Sequence, residues 1–251
     1  MLIDTWDISN ARAKQWTVTP GHHSVNNESE WVRGSPAPAL LGSGIGFKPM
    51  KVTLLVYGNG RQAILDNCGT ILSRLMAPAR LTLDGFAHKY HGVLEKHSLT
   101  ENPLNILDLR KNRCAKLALE FNCCEYAAQQ DGSPYAESAS GVTRTVITNP
   151  GNILTPAVVE ITPRIGLAEL ELTGICRDPG TLEDLPVKVK NLAAGKKIVL
   201  DGETGLMTEN GALKAFDIEI WEIPTLRPGQ NPVTLSSDRL DITVKYYPRY
   251  M

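Results

Sequence analysis

The sequence predicts a mainly β protein: an N-terminal β-rich domain with one α-helix and a long extended arm, then a C-terminal jelly-roll β-sandwich. Three observations carry the prediction. Beyond Gly141 short apolar runs alternate with turn dipeptides at regular spacing, the punctuation of a two-sheet sandwich. Only the stretch Ile64 to Leu75 repeats at the 3.6-residue period of a helix. Between them Ala127–Gly141 is small, polar and turn-rich, which sets a domain boundary near residue 130, giving domains 1–130 and 131–251.

Taken in order, residues 1–20 alternate weakly and read as a strand or two. Gly21–Pro49 is polar in its first half and rich in Gly and Pro in its second, yet it carries Trp31, Val32, Leu40, Leu41, Ile45 and Phe47. A loop of that length inside a compact domain is usually functional or mobile. Two readings stand side by side: an arm whose six apolar residues form an oligomer interface, or a loop folded back on its own core.

Val52–Tyr57 is a buried-type strand. Asn59 is expected to cap the next helix, with Gln62 reaching back. Ile64, Leu65, Cys68, Ile71, Leu72 and Leu75 form its apolar stripe, and Pro78 stops it. Gly69 inside it costs about 1 kcal/mol relative to Ala and is expected to permit close packing on a sheet. Leu81–Leu83, the turn Asp84-Gly85 and Phe86–His97 read as a hairpin, and Pro103 interrupts pairing. Ala115–Cys123 alternates cleanly, with Leu117, Leu119, Phe121 and Cys123 on one face.

In the second half, strands are expected at Val142–Thr148, Ala157–Thr162, Ala168–Thr173, Val187–Lys190, Lys197–Leu200, Phe216–Glu222, Val233–Ser236 and Leu240–Tyr246. Asp201-Gly202, Asn210-Gly211 and Pro228-Gly229 are among the turns between them. In Phe216–Glu222 the alternation puts Phe216, Ile218 and Ile220 on a buried face.

Composition narrows the function. At 251 residues the chain buries a core without staples. Lys and Arg number 26 against 27 Asp and Glu, which argues against a nucleic-acid partner bound mainly through phosphate neutralisation but leaves room for a local basic patch. Asp4 follows Met1-Leu2-Ile3 at once, so no secretory signal is expected, and no apolar run approaches the roughly 20 residues of a membrane helix. The expectation is a soluble protein made in a reducing cytoplasm. The five cysteines, 68, 114, 123, 124 and 176, are odd in number and include an adjacent pair, so they read as free thiols.

Chemistry-bearing motifs are few. His88 and His91 fall on opposite faces of a strand, and no zinc spacing involves His22, His23 or His97. Asp201, Glu203 and Glu209 read as turn residues more readily than as calcium ligands. Asp217 and Glu219 share a strand face about 7 Å apart, a spacing that suits a glycosidase pair and equally a solvated face. Neither G-x-S-x-G, P-loop nor dinucleotide fingerprint occurs, and Ser43-Gly44-Ile45-Gly46 is a flexible loop. Trp6, Trp16, Trp31 and Trp221 could each stack on a sugar or pack in a core. No enzyme, cofactor or metal site is expected.

Ordered motifs add a resemblance. Asn149-Pro150-Gly151-Asn152, Pro156 with Val158–Ile161, the run from Val199 to Gly211, Phe216–Pro224, Leu226–Gly229 and the ending from Ile242 to Met251 resemble the C-terminal half of phage distal tail proteins. The resemblance implies an N-terminal domain that forms a ring, commonly a hexamer, and a galectin-like C-terminal sandwich. It implies a virion tail component between the tail-tube protein and the tail-tip protein, which leads to the receptor-binding protein. Gly21–Pro49 takes the place of an arm that embraces the neighbouring subunit. The alternative is a carbohydrate-binding module that recognises a host cell-wall glycan through the sandwich and an exposed Trp.

Overall fold

The computed structural model describes residues 1–30, 33, 39–101, 113–178, 181 and 183–251. Two compact units emerge, Met1–Tyr126 and Ala127–Tyr250.

The first unit runs through β1 (Leu2–Ile3), β2 (Trp6–Asp7), β3 (Ala13–Pro20), β4 (Val25–Glu30), β5 (Ala39–Ile45), β6 (Lys48–Gly58), α1 (Arg61–Ser73), β7 (Ala79–Thr82), β8 (Lys89–Glu101) and β9 (Arg113–Tyr126). One antiparallel sheet has the order β2-β1-β7-β8-β9-β6-β3, and β4 and β5 form a sheet of their own. Period-2 alternation builds its core. Val52, Leu54 and Val56 lie beside Leu119, Leu117 and Ala115 in register, and Ile64, Cys68 and Ile71 of α1 close the same cluster. Each fully buried Leu or Ile contributes about 1.5–3 kcal/mol.

The helix sits where its stripe predicts, with three differences. Its N-cap is Gly60 and has no side-chain cap bond; Gln62 bonds forward to Asp66 at 2.8 Å instead of back. Leu65, at the edge of the stripe, is 37 % exposed. Gly69 does not mediate close packing, because a Cβ there would meet nothing within 4 Å. The turn at Asp84-Gly85 follows expectation, with Gly85 at φ +85°. Pro103 lies outside the described residues.

The second unit comprises β10 (Tyr135–Ser140), β11 (Arg144–Asn149), β12 (Thr155–Pro163), β13 (Leu167–Arg177), β14 (Asp184–Leu192), β15 (Ile198–Asp201), β16 (Met207–Glu209), β17 (Ala212–Leu213), β18 (Ile218–Glu219), β19 (Thr225–Leu226), β20 (Gly229–Leu235) and β21 (Leu240–Tyr246). One sheet has the order β10-β21-β12-β15-β16-β17, with β19 on β12, and the other β11-β20-β13-β14-β18. Val159, Ile161, Leu200, Ile242 and Val244 from the first sheet share one core with Leu170, Leu172, Val187, Val189 and Val233 from the second. That shared core makes the unit a β-sandwich.

Buried amides tie its turns. Asn149, 1 % exposed, accepts from Gly151 N at 2.9 Å and donates to Thr155 Oγ1 at 3.1 Å and Leu226 O at 3.3 Å. Asn231, fully buried, accepts from Arg227 N at 2.9 Å and donates to Gly229 O at 3.0 Å. These two carry the N-P-G-N and R-P-G motifs, whose role is satisfying backbone groups at corners.

Two readings are corrected here. Ala127–Gly141 is not wholly a linker: its second half is β10, paired with β21 from Tyr135↔Tyr246 to Ser140↔Asp241. An edge strand with one half-buried face reads as polar, which hid it. Phe216–Glu222 is not one strand. Ala215–Asp217 is a 3-10 turn, the strand is only Ile218–Glu219, and Phe216 is 102 % exposed.

Candidate functional site

The feature that stands apart from both cores is the β4–β5 hairpin. Its root is a continuation of the β3–β6 ladder, which ends at Pro20↔Met50. Gly21 N then donates to Pro49 O at 2.7 Å. A Cβ on Gly21 would lie 2.8 Å from that same oxygen and 2.7 Å from Pro49 Cγ, so the approach needs glycine. One step further out, Gly46 N donates to Ser24 O at 2.7 Å, and His23 Nδ1 lies 2.6 Å from Gly46 O. Pairing resumes at Val25↔Ile45 and runs to Glu30↔Ala39, with a shift between Glu28 and Ser29.

The hairpin therefore leaves the sheet through a doubly bonded neck. Val25 is 58 % exposed, Ile45 46 % and Phe47 64 %. Of the six residues expected at an interface, Ile45 and Phe47 are exposed at this base, and Leu40 and Leu41 lie on β5. Trp31 and Val32 lie outside the described residues. Ser43-Gly44-Ile45 belongs to β5, so the glycines there serve a strand and not a phosphate loop.

Beneath the neck is a cluster that sequence reasoning missed. Glu125 at the end of β9 accepts from Lys48 Nζ through Oε2, and His88 Nδ1 lies 2.6 Å from its Oε1. The side chains of Lys48 and Glu125 are each 12 % exposed. Burial pushes the Glu125 carboxyl up, but the bonds from Lys48 and His88 outweigh it, and its pKa falls below the ordinary value. The three residues are distant in sequence; the only local signal was a Glu on the apolar face of β9, in step with Phe121 and Cys123.

The two carboxylates weighed as an acid pair are each tied to other side chains. Asp217 bonds Asn191 at 2.9 Å and Lys214 at 3.1 Å, while Glu219 bonds Lys190. The hydrogen bond from Asn191 and then the contact with Lys214 lower the Asp217 pKa, and Lys190 lowers that of Glu219. Neither is poised as an acid. Asp201 Oδ1 accepts from Glu203 N at 2.8 Å and Thr204 N at 3.1 Å, the bonds of a turn residue. No group of three His, Cys, Asp or Glu suited to a metal occurs among the described residues. All five cysteines are free, and burial pushes Cys123 and Cys176 up to about 12. Trp6 lies under Arg74, 5.4 Å from its ring centre. Trp16 and Trp221 are 53 % and 81 % exposed.

No family model matches the chain, and no curated protein matches it. Solved structures do. The crystal structure of SPP1 Dit, described as a paradigm of the hub adsorption apparatus in phages infecting Gram-positive bacteria, matches with a TM-score of 0.72 and 13 % identity, over 100 % of this chain and 98 % of that one. A chain of the phage P2 baseplate in its activated conformation with Ca matches with a TM-score of 0.51 and 11 % identity, over 97 % and 92 %. The β-rich unit with one helix and the β-sandwich expected from the sequence are both present, and the chain has the fold of the SPP1 Dit hub protein.

Proposed function

We propose that the chain is a structural component of a phage tail tip that assembles as a ring, with the hexamer as the expected closure. The single observation that carries the reading is the β4–β5 hairpin, a separate sheet held by a two-bond neck with exposed Val25, Ile45 and Phe47 at its base. Large apolar side chains on such an element are contact surface waiting for a partner. A head-to-tail contact between copies closes into a ring when its rotation is a whole fraction of a turn. Each contact must bury on the order of 1,000 Å², to which an arm laid on a neighbour contributes. The likeness to the SPP1 hub protein supports the same reading. The ring's neighbours in the tail are then the tube protein on one side and the tail-tip protein, with its receptor-binding partner, on the other. Catalysis has no part in this role.

The test removes the arm. Residues 24–46 are excised and Gly21–His23 joined to Phe47 through a short glycine turn. Both units keep their unfolding transitions and the ring is lost; a variant that still closes into rings refutes the arm's role. A second reading, glycan binding by the sandwich, is favoured by the exposure of Trp221. It requires that Trp221→Ala abolish binding to purified host cell-wall glycan, and it fails if the intact chain does not bind that glycan.

A further inference from the structure

The face of the first unit's sheet turned away from α1 concentrates positive charge. Side chains alternate between faces, and the ladder registers fix which residues share one. Lys51, Glu120 and Lys96 form one row across β6, β9 and β8. Lys14, Leu55 and Lys116 form a parallel row across β3, β6 and β9. Four residues separate the rows along each strand, about 13 Å at strand rise. Between them run Thr17 and Ser98, both exposed, and Thr53 and Ala118, buried at 3 % and 8 %, with Trp16, 53 % exposed, beside Thr17 in the β3 bulge.

The charges are open to solvent. Lys14, Lys51 and Lys96 are exposed and Lys116 is half-buried. Lys51 pairs with Glu120 at 2.9 Å, and Lys14, Lys96 and Lys116 make no ion pair among the described residues. Glu95, the extra residue of the β8 bulge, is the other carboxylate here, in a cleft of about 360 Å³ shared with Lys51, Lys96 and Glu120. A chain whose formal charge is −1 thus carries a locally positive face.

We propose that this face binds the backbone of duplex DNA without reading its bases. Phosphates are the ligand because lysine is a point charge that suits them, and Thr17 and Ser98 stand exposed between the rows as hydroxyl donors. Duplex is favoured because two cationic rows about 13 Å apart match the roughly 12 Å that separates the phosphate walls of a major groove. The near-zero charge of the whole chain had obscured this, since it averages the face with the acidic remainder.

Fluorescence anisotropy with a short labelled duplex of random sequence tests it, titrating the full-length chain over a series of low salt concentrations. Each lysine–phosphate contact contributes about 0.9 to the slope of log K against log salt, so the intact chain gives a slope of about −3. The variant carrying Lys14→Gln, Lys51→Gln, Lys96→Gln and Lys116→Gln loses about tenfold or more in affinity at the lowest salt, and its slope approaches zero. A matched variant of Lys188, Lys190, Lys196 and Lys197 in the second unit binds as the intact chain does. Equal unfolding midpoints confirm that both variants fold. The proposal is overturned if the intact chain shows no binding at the lowest salt, or if the first variant binds as tightly as the intact chain. It is also overturned if polyglutamate of equal charge competes as well as unlabelled duplex, which makes the face a dock for an acidic protein. Binding is read whatever the oligomeric state, so the outcome is independent of the ring reading.

Discussion

Val25 stands opposite Ile45 on the first rung of the β4–β5 hairpin, and both side chains face solvent, at 58 % and 46 % exposure. A β-branched cross-strand pair normally helps a sheet by packing on one buried face. Here the hairpin has no second layer among the described elements, so the pair gains little within its own chain.

The first prediction follows from that pair. Val25→Ser with Ile45→Ser removes apolar contact from an assembly and almost none from the monomer. The unfolding midpoint of the dissociated chain stays within the small range of surface substitutions, about ±0.5 kcal/mol each. Assembly, read by light scattering behind size exclusion, weakens by a factor of ten or more. An unchanged assembly would remove the hairpin base from the interface.

Two glycines should respond in opposite directions. Gly69 is mid-helix with open space around its Cβ position, so Gly69→Ala stabilises by about 0.5–1 kcal/mol. Gly174 sits at φ +94° in the bulge of β13, and a Cβ there would lie 2.0 Å from Pro232 O. Gly174→Ala therefore combines left-handed backbone strain with a backbone clash and costs more than about 2 kcal/mol. Urea unfolding of both variants checks the pair; a stabilised Gly174→Ala would mean that the bulge is misplaced.

The Lys48–Glu125–His88 cluster gives a pH signature. The Glu125 carboxyl is depressed in the folded state. Its stabilisation is therefore complete above the ordinary carboxylate range and is lost as pH falls through the depressed value. Glu125→Gln leaves Lys48 nearly buried without its carboxylate, costing about 3 kcal/mol at neutral pH. The gap between wild type and variant should close as the pH falls below the ordinary carboxylate range and through the depressed value. A gap that is constant from neutral to acid pH would show that the charge of Glu125 is not what stabilises the neck.

Phe216 and Ile218 separate the structure from the alternation pattern. The pattern pairs them on one buried face; the structure leaves Phe216 102 % exposed and Ile218 8 %. Phe216→Ser should change stability by about 0.5 kcal/mol or less, whereas Ile218→Ala should cost about 2 kcal/mol or more. Comparable losses at both positions would restore the continuous strand.

What was legible in the sequence was whatever local pattern determines. Leu117, Leu119 and Phe121 alternate because β9 has one buried face, and Ile64, Cys68 and Ile71 repeat because α1 has one buried stripe. What was illegible depends on partners distant in the chain. Tyr135–Ser140 looks like linker because its pairing partner is β21, about a hundred residues on, where Tyr135 stacks on Tyr246 with ring centres 6.0 Å apart. Phe216 follows the alternation yet leaves the sheet because Lys214 bonds Asn191 O at 3.0 Å and Asp217 at 3.1 Å, curling the chain into a 3-10 turn. The stretch Gly21–Pro49 stood out by composition, but the neck of its hairpin did not: Gly21 meets Pro49, and His23 meets Gly46, only once β3 and β6 are paired.

The central claim is that this chain assembles head to tail into a closed ring. Native mass spectrometry of the intact protein across concentration, with negative-stain images of the same sample, tests it most directly. The account predicts one discrete oligomer, the hexamer, seen as rings with a central hole. A chain that stays monomeric at the highest concentration it tolerates, and remains so when mixed with the tail proteins it should join, would contradict it.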